Sequence, residues 1–319
     1  MFDLIACGEL LIDFVPTVSG VSLAQAPAFK KAPGGAPANV AVGAARLGRR
    51  VGFMGQVGDD EFGHFLAHIL AADGVDVAGL RFSSAARTAL AFVSLTAGGE
   101  REFMFYRHPS ADMLWRPDQV DVAYAGQARI FHFGSITLIG EPSRSATLTA
   151  AAAARAGGAL ISYDPNLRLP LWPSAQAARA GMLVGWRLAQ IIKVSEEELA
   201  FLSGVADLAA GARRLWHDAL RLLVVTQGEG GSMYFTPHAT GHVPGFTVTP
   251  VDTTGAGDGF VAGLLSGLLE CDLNWTEDDL RRALRLGNAV GALTTLERGA
   301  IPGLPTRPAV DAFLASARA

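Results

Sequence analysis

Residues 251–260 read VDTTGAGDGF, a loop-to-helix pattern on which both the fold and the chemistry of the chain depend. The stretch follows a β-prone segment and precedes the apolar residues 261–265, which predicts a loop that enters a helix. The small residues leave backbone N–H groups uncovered, and the helix dipole adds roughly half a positive charge at the same point. The loop is therefore a predicted anion site. The residues that form it are Gly255, Ala256, Gly257 and Asp258.

Asp258 falls in the first turn of the predicted helix, directly beside the anion site. A carboxylate next to backbone N–H groups suits the transfer of a phosphoryl group to a hydroxyl, because the carboxylate can deprotonate the nucleophile while the N–H groups stabilise negative charge. The stretch lacks the Lys of a Gly-Lys-Ser phosphate loop and the glycine spacing of a dinucleotide fingerprint. The alternative is structural, since Asp in a first turn also starts helices well.

Residues 252–258, DTTGAGD, resemble the signature of the ribokinase-like, PfkB-type family of sugar kinases. Residues 34–39, GGAPAN, precede a segment with helical spacing and resemble the first signature of that family. The resemblance covers essentially the whole chain. It implies that Asp258 is the catalytic base and that the backbone N–H groups of residues 255–258 form the anion hole. It also implies sugar contacts from Gly34, Gly35 and Asn39, and a K⁺ ion near Asp252 and Thr254.

The composition restricts the class of protein. The chain has 319 residues, of which 50% are hydrophobic and 18% charged, so a large buried core is expected. The net charge of −4 gives no electrostatic reason to expect nucleic acid or an anionic membrane as a partner. Cys7 and Cys271 lie in apolar runs without metal-ligand spacing, as is typical of free thiols in a reducing compartment. Neither a signal peptide nor a bilayer-spanning segment is expected, so the predicted location is cytoplasmic.

Apolar β-prone segments alternate with helical segments along most of the chain. Residues 4–15 predict one opening strand that is buried on both faces, with Asp13 near its end as a candidate sugar ligand or a turn cap. Strand and helix patterns alternate again from residue 129 onward, which predicts a doubly wound sheet. The resemblance makes this a single ribokinase-like α/β domain over residues 1–319, a three-layer α/β/α sandwich with a mostly parallel central sheet.

Residues 88–107 break the alternation, because two β-prone runs are joined by a short Gly-rich turn with no helix between them. Together with residues 16–33 they predict a small β-sheet outside the parallel sheet, which the resemblance identifies as a lid over the sugar site. Phe103, Phe105 and Tyr106 place aromatic side chains on both faces of the second strand. One face would cover the ligand, and the other could join two subunits in a homodimer.

Polar residues follow several predicted strands, which is where ligands bind in open α/β sheets. One such string, DPNLR at 164–168, also reads as an Asp-Pro turn. Ser195 and Glu198 have the spacing of a capping box at the start of a helix. The family has Asn where this chain has Ser195, and its Glu acts near Mg²⁺. The resemblance therefore makes Glu198 a predicted metal-associated residue. Asn288 is expected near adenine, or else it satisfies a neighbouring group. The candidate ATP-binding residues are Asp164, Asn166, Lys193, Thr226, Gly228, Gly231, Gly257 and Asn288.

The predicted reaction transfers the γ-phosphoryl group of ATP, accompanied by Mg²⁺, to a primary hydroxyl of a free sugar. D-Fructose is favoured because residues 106–113 and 162–174 are most similar to fructokinases, which makes Tyr106, Arg107 and Arg168 predicted sugar contacts. The rival acceptor is 2-keto-3-deoxygluconate, because the two arginines could bind its carboxylate. A catalytically silent sugar sensor is disfavoured because the anion-hole residues are all present. A dehydrogenase is disfavoured because no Gly-x-Gly-x-x-Gly follows the first strand.

Overall fold

The computed structural model of the chain describes residues 1–18, 20–95 and 101–317, without the side chains of residues 94, 95 and 101–103. The predicted Gly-rich turn and the side chain of Phe103 lie outside this described part. The strands are β1 (Phe2–Cys7), β2 (Leu11–Pro16), β3 (Phe29–Gly34), β4 (Val51–Gly58), β5 (Leu80–Ser83), β6 (Leu90–Leu95), β7 (Arg101–Tyr106), β8 (Ala128–Gly134), β9 (Leu160–Asp164), β10 (Ile191–Ser195), β11 (Leu222–Thr226), β12 (Ser232–Phe235) and β13 (Thr240–Val243). The helices are α1 (Ala36–Arg46), α2 (Glu61–Ala72), α3 (Val122–Ala125), α4 (Ser143–Ala156), α5 (Ala175–Trp186), α6 (Glu196–Ser203), α7 (Leu208–Leu215), α8 (Ala256–Glu270), α9 (Glu277–Thr294), α10 (Ala300–Gly303) and α11 (Arg307–Ser316). Of these described helices, none combines the length and the apolarity that crossing a bilayer requires.

The described strands form a nine-stranded sheet and a separate four-stranded sheet. The strand order of the large sheet is β13-β12-β11-β10-β9-β8-β1-β4-β5. Its pairings from β11 to β5 are parallel, whereas β12 and β13 are added antiparallel at one edge. The prediction of a mostly parallel, doubly wound sheet is therefore confirmed. Because parallel strands end at the same edge, the polar residues that follow β9, β10 and β11 lie together.

Helices cover both faces of the large sheet. Leu4 and Ala6 of β1 belong to a buried core that includes side chains of α1, α8 and α9, while Ile5 and Cys7 belong to a second core with α4, α5 and α6. Successive residues of a strand face opposite sides, so β1 is packed on both. Each fully buried aliphatic side chain of this kind contributes about 1.5–3 kcal/mol. The result is a three-layer α/β/α sandwich.

Helix α8 is held against α9 by close backbone contact. A Cβ at Gly263 would lie 2.8 Å from the Cα of Gly287, and a Cβ at Gly267 would lie 2.6 Å from the Cα of Ala283. Both distances are too short for any side chain, so glycine permits this approach. These contacts fix α8, which carries Asp258 in its first turn, along the length of α9.

The small sheet corrects one prediction. Its strand order is β3-β2-β6-β7, with β2 parallel to β6 and the outer pairs antiparallel. The expected single strand over residues 4–15 is wrong, because β1 ends at Cys7 in the large sheet and β2 begins at Leu11 in the small one. The chain leaves the large sheet at Gly8, which has φ +156° and where a Cβ would lie 2.5 Å from the Cγ of Pro37. Apolar residues continue across this break, so the hydropathy pattern hides it.

The two faces of the small sheet differ. On the outer face the rings of Phe14 and Phe92 stack with centroids 4.9 Å apart. Asp13 precedes Phe14 in β2 and therefore points to the inner face. On that inner face Leu11 and Ala91 are buried, with Phe105 packed against them. The sheet thus has an aromatic outer face and an inner face that carries a carboxylate.

Candidate active site

Asp258 lies in the first turn of α8, and Gly255 determines where that helix begins. Gly255 has φ +81°, and a Cβ there would lie 2.6 Å from the Cβ of Ala300, so the turn into the helix requires glycine. The buried Asp258 carboxylate accepts a 2.8 Å hydrogen bond from Asn39 Nδ2 and lies 3.5 Å from Asn166 Nδ2. Burial raises the pKa of Asp258 to about 6, and the hydrogen bond from Asn39 opposes that increase. The structure thus brings predicted residues from three distant segments together.

Lys193 and Asp164 form a buried ion pair beside the predicted anion hole. Lys193 Nζ donates to Asp164 Oδ2 at 3.1 Å, and the two residues are 8% and 3% exposed. A Cβ at Gly257 would lie 3.1 Å from Nζ, so the ammonium group is next to the backbone of the anion hole. Burial acts to lower the pKa of Lys193, but the carboxylates of Asp164 and Glu198 raise it above its usual value. The predicted anion hole therefore has an ammonium group, paired with Asp164, beside its backbone.

Asp13 lies on the inner face of the small sheet, where the charges of Arg168 and Asp258 act on it. A Cβ at Gly34 would lie 2.2 Å from Asp13 Oδ2, so the missing side chain makes room for this carboxylate. Burial raises the pKa of Asp13 to about 7; the charge of Arg168 opposes this increase and that of Asp258 adds to it. Of the predicted sugar ligands, the structure therefore brings Asp13, Gly34 and Arg168 to the side of the site that Asp258 faces.

Glu9 shapes the start of α1, close to Asn39. Gly35 has φ +115°, and a Cβ there would lie 2.3 Å from the backbone oxygen of Glu9. Glu9 Oε1 accepts a 3.0 Å hydrogen bond from the N–H of Ala36, a favourable position for negative charge at a helix N-terminus. Burial raises the pKa of Glu9 to about 7. The sequence prediction missed Glu9, for which the only signal is one acid inside an apolar run.

Arg107 is paired with an acid of the protein itself. It forms a buried ion pair with Asp112, and Asp112 also accepts a hydrogen bond from the hydroxyl of Ser110. The charge of Arg107 also acts on Glu9. Asp112 was not a predicted site residue, although it lies within the fructokinase-like string at 106–113. Its proximity in sequence to Arg107 was the available signal.

Tyr106 lies on the outer face of the small sheet. Its ring packs against Phe92 with centroids 5.4 Å apart, and 57% of its surface is exposed. Phe105, the preceding residue, takes the inner face beside Leu11. The structure therefore does not bring Tyr106 to Asp13. The alternation of side chains was visible in the sequence, but which face covers the site was not.

The turn after β11 was predicted to contact ATP. Gly228 and Gly231 have φ values of +57° and +98°, and a Cβ at Gly231 would lie 2.2 Å from the backbone oxygen of Val243. Thr226 Oγ1 donates to the backbone oxygen of Val194 at 3.3 Å. The left-handed conformation and the close approach of backbone explain both glycines. Contact of this turn with ATP stays a prediction.

Asn288 satisfies neighbouring backbone groups, which is the alternative that its sequence context left open. Its Nδ2 donates to the backbone oxygens of Val243 and Pro244, each at 3.1 Å. The residue is buried on α9. It therefore fastens the segment after β13 to α9, and a direct contact with adenine stays a prediction.

The predicted K⁺ residues organise a loop. Asp252 Oδ1 accepts hydrogen bonds from the N–H and the hydroxyl of Thr254, at 3.0 and 2.7 Å. Asp252 Oδ2 accepts a 2.9 Å hydrogen bond from the N–H of Gly299. The backbone oxygen of Thr295 accepts from the N–H of Val251 at 2.8 Å. The segment before the anion hole is thus tied to the segment after α9.

Glu198 has backbone partners on both carboxylate oxygens. Oε2 accepts from the N–H of Ser195 at 2.9 Å, which completes a capping box, and Oε1 accepts from the N–H of Leu167 at 2.6 Å. In the part of the chain that the structure describes, no group of three or more His, Cys, Asp or Glu side chains could hold a metal ion. The described geometry therefore gives Glu198 a structural role, and its association with a metal stays a prediction.

His132 is a further buried polar residue that the sequence prediction missed. It lies on β8, its Nδ1 is 3.0 Å from Ser162 Oγ, and burial, with the charge of Lys193, lowers its pKa to about 3. The ring is therefore neutral and adjoins the Lys193–Asp164 pair. A single His between two Phe residues of an apolar strand was the signal for it.

Comparisons with known proteins identify the family of the chain. A family model described as pfkB family carbohydrate kinase matches residues 1–307. A probable fructokinase-7 from Arabidopsis thaliana is 56% identical over 321 residues, which cover 99% of this chain and 93% of that protein.

Two solved structures share the whole fold. A fructokinase with bound ATP from Xylella fastidiosa has a TM-score of 0.91 and 36% identity, with 100% of both chains covered. A double mutant of fructokinase from Vibrio cholerae, in a fructose-, ADP- and potassium-bound form, has a TM-score of 0.87 and 36% identity, with 98% of this chain and 97% of that chain covered. Taken with the match over residues 1–307, these similarities show that the chain belongs to the pfkB family of carbohydrate kinases and has its ribokinase-like α/β fold.

Proposed function

We propose that this protein is a fructokinase, which transfers the γ-phosphoryl group of ATP to a primary hydroxyl of D-fructose, that of C6, and yields fructose 6-phosphate. The observation that carries the proposal is the carboxylate of Asp258, buried in the first turn of α8 beside backbone N–H groups and the ammonium group of Lys193. This arrangement joins a base to a site for negative charge. Relatives named fructokinase support D-fructose as the acceptor.

Asp258 is the base that accepts the proton of the sugar hydroxyl. Its pKa of about 6 leaves the carboxylate ionised near neutral pH and makes it a stronger base than an exposed Asp. Asn39 donates to Oδ2 at 2.8 Å, whereas Asn166 lies at the longer distance of 3.5 Å from Oδ1. We therefore assign proton transfer to Oδ1, with Asn39 as the residue that orients the carboxylate.

The other half of the chemistry is stabilisation of the transferred phosphoryl group. In this proposal the backbone N–H groups of residues 255–258 and the ammonium group of Lys193 would face the negative charge, with the Ala256 N–H released from its 3.3 Å hydrogen bond to the backbone oxygen of Thr253. Asp164 holds Lys193 in position through their ion pair. Phosphoryl transfer is catalysed largely by such positioning and electrostatics. We assign the rest of the ATP site to Asn166 and to the turn at 226–231, with Asn288 holding the adjoining segment in place.

The charges around the acceptor side suit a neutral sugar. Arg107 is paired with Asp112, and Arg168 acts on the carboxyl groups of Asp13 and Asp258. The carboxylate of 2-keto-3-deoxygluconate would enter a site that already holds the carboxyl groups of Asp13 and Asp258, with Arg107 paired to Asp112, and an incompletely paired charge in such a place is costly. The hydroxyls of D-fructose need only hydrogen bonds from the same groups.

Two metal ions belong to the proposal. With no carboxylate cluster in the described residues, Mg²⁺ would enter with ATP, keep most of its waters and neutralise phosphate charge. Glu198 would act on it indirectly, because both of its oxygens hold backbone N–H groups. For K⁺, the loop that Asp252 and Thr254 organise offers the hard oxygen ligands such an ion prefers. The relative with potassium bound supports this assignment.

The small sheet is the proposed lid, over residues 16–33 and 88–107 together with the earlier strand β2. Its inner face would cover the sugar and exclude water. Its outer face, where Phe14, Phe29 and Phe92 are in ring contact, is the proposed homodimer surface. Sedimentation at micromolar concentration tests the dimer, and a monomer would contradict it. The described cysteines are free thiols, which agrees with a reducing cytoplasm as the proposed location.

A coupled assay of ADP release across a panel of sugars tests the function. With ATP, Mg²⁺ and K⁺ present, D-fructose should give the highest kcat/KM among fructose, ribose, glucose and 2-keto-3-deoxygluconate. A higher kcat/KM for the keto acid would replace the acceptor but keep the kinase. Absence of sugar-dependent ADP release from folded protein would overturn the proposal.

A further inference from the structure

A buried group of charges lies beside the acceptor side of the site, and we call Glu9, Arg107 and Asp112 the Arg107 cluster. These residues are 2%, 4% and 3% exposed. Arg107 and Asp112 form an ion pair, and the charges of both act on Glu9. Arginine cannot release its proton inside a protein, so its burial requires acidic partners. The cluster is therefore a charge-balancing unit around one permanent cation.

Asp112 is held rigidly. Its Oδ1 accepts a hydrogen bond from Ser110 Oγ, while its Oδ2 pairs with Arg107. The preceding residue is fixed as well, because the backbone oxygen of Ala111 accepts a 2.7 Å hydrogen bond from Gln56 Nε2. Asp112 is thus preorganised to neutralise Arg107 and does not depend on a ligand to order it.

The cluster adjoins the acceptor side at two points. Glu9 binds the first N–H of α1, the helix from which Asn39 reaches Asp258. Arg107 directly follows β7 of the small sheet, whose inner face carries Asp13. Arg107 Nε is also buried without a hydrogen-bond partner among the described residues. A donor therefore remains on this cation, but the paired acid cancels its charge.

We propose that Asp112 determines the charge class of the acceptor: by neutralising Arg107 it makes the site select neutral sugars and reject sugar acids. This inference rests on the proposed function, since it concerns the acceptor of the same site. Asp112 acts through Arg107 and is a positioning residue. Its loss would leave Arg107 as a cation that prefers a substrate carboxylate, because a charge-assisted pair is stronger than a neutral hydrogen bond.

The test compares Asp112→Asn with the unmodified enzyme by the ratio of kcat/KM for 2-keto-3-deoxygluconate to that for D-fructose. If the sugar acid is not turned over, the reciprocal of its inhibition constant against fructose replaces the first value. The ratio should rise by about tenfold or more in Asp112→Asn. Asp118→Asn is the matched control, since Asp118 pairs with Arg116 on the exposed surface of the following segment, and its ratio should stay within about twofold.

A second variant separates the charge from general damage to the site. Arg107→Gln/Asp112→Asn removes both members of the ion pair, so the gain for the sugar acid should disappear. If Asp112→Asn does not fold, Asp112→Ser gives the same comparison with a smaller uncharged side chain. A ratio that changes by less than about threefold in folded Asp112→Asn or Asp112→Ser overturns the inference. So does a gain that persists without Arg107.

Failure of this inference is distinguishable from failure of the proposed function. If the unmodified enzyme phosphorylates fructose and the ratio of kcat/KM values is unchanged in the variants, only the role of Asp112 is rejected. An unmodified enzyme that prefers the sugar acid rejects both, because Arg107 would then bind a carboxylate while paired.

Discussion

The phosphoryl side and the acceptor side of the site are built on different parts of the molecule. On the phosphoryl side, Lys193 and Asp164 lie at the ends of central strands in the large sheet, and Asp258 begins a helix locked against α9. On the acceptor side, Asp13 lies on the small sheet and Glu9 at the crossing between the two sheets, and burial raises the pKa of each carboxyl to about 7. The first side is fixed by packing on both faces of the large sheet, while the second lies on a separate four-stranded sheet. From this difference we expect the catalytic rate to depend mainly on the large sheet and the choice of acceptor on the small one.

The largest effect should come from removal of the base on the phosphoryl side. Asp258→Asn should lower kcat by roughly 10²–10⁴, the usual size of a lost general base, with ATP binding and the fold retained. Steady-state assays with calorimetry of ATP binding make the measurement. Asp278→Asn is the control, because Asp278 is an exposed acid in the first turn of α9. If the kcat of Asp258→Asn is within a few-fold of that of the unmodified enzyme, Asp258 serves only to start the helix.

The next effect concerns the fixed charge beside the anion hole. Lys193→Met should lower kcat by roughly 10²–10³, as removal of one charge-stabilising donor does. The substitution also leaves Asp164 buried without the ammonium group of Lys193, so the midpoint temperature of thermal unfolding should fall. Lys193→Met/Asp164→Asn restores neutrality and should recover stability but not kcat. Recovery of kcat in the double variant would mean that Lys193 serves only to neutralise Asp164.

The pH dependence should separate the two sides. Asp258 has a raised pKa of about 6 and must be ionised to act, so kcat should fall about tenfold per unit as the pH drops below 6. Asp13, with a pKa of about 7, becomes protonated at a higher pH and then accepts fewer hydrogen bonds from the sugar. The KM for fructose should therefore begin to rise below about pH 7, before kcat falls. A kcat that is unchanged down to pH 5 would contradict the role of Asp258.

The smallest predicted effect is a change of dynamics on the acceptor side alone. Hydrogen exchange in residues 88–107 should slow when fructose is added, since closure excludes water, whereas exchange in β9 and β10 should be nearly unchanged. Glucose at the same concentration is the control ligand. Equal protection of residues 88–107 with and without saturating fructose would reject the lid.

The sequence predicted the large sheet well because its strands are short apolar runs separated by helices, and because Gly255 and Asp258 are local features of one loop. It could not predict contacts that depend on packing between distant segments. Glu9 and His132 are single polar residues in apolar runs, and their roles appear only when α1 and β9 are placed beside them. The single strand over residues 4–15 failed for a similar reason, since the break at Gly8 depends on Pro37.

The predictions for the small sheet were less complete. Its existence followed from two strands without an intervening helix, yet the face occupied by Tyr106 depends on how the sheet docks. Arg107 shows the same limit: a cation near the site was visible in the sequence, but its pairing with Asp112 was not. Motifs in the sequence thus predict the chemistry of a single loop, whereas the pairing of buried charges can be seen only in the folded structure.

Nuclear magnetic resonance of the reaction product tests the central claim most directly. The unmodified enzyme is incubated with ATP, Mg²⁺ and ¹³C-labelled D-fructose, and the phosphorus coupling of the sugar carbons is recorded. We expect coupling at C6, which carries the primary hydroxyl that Asp258 is proposed to deprotonate, together with one equivalent of ADP. We expect no such product from Asp258→Asn on the same timescale. Phosphate on another carbon, or full product formation by Asp258→Asn, would contradict the central claim.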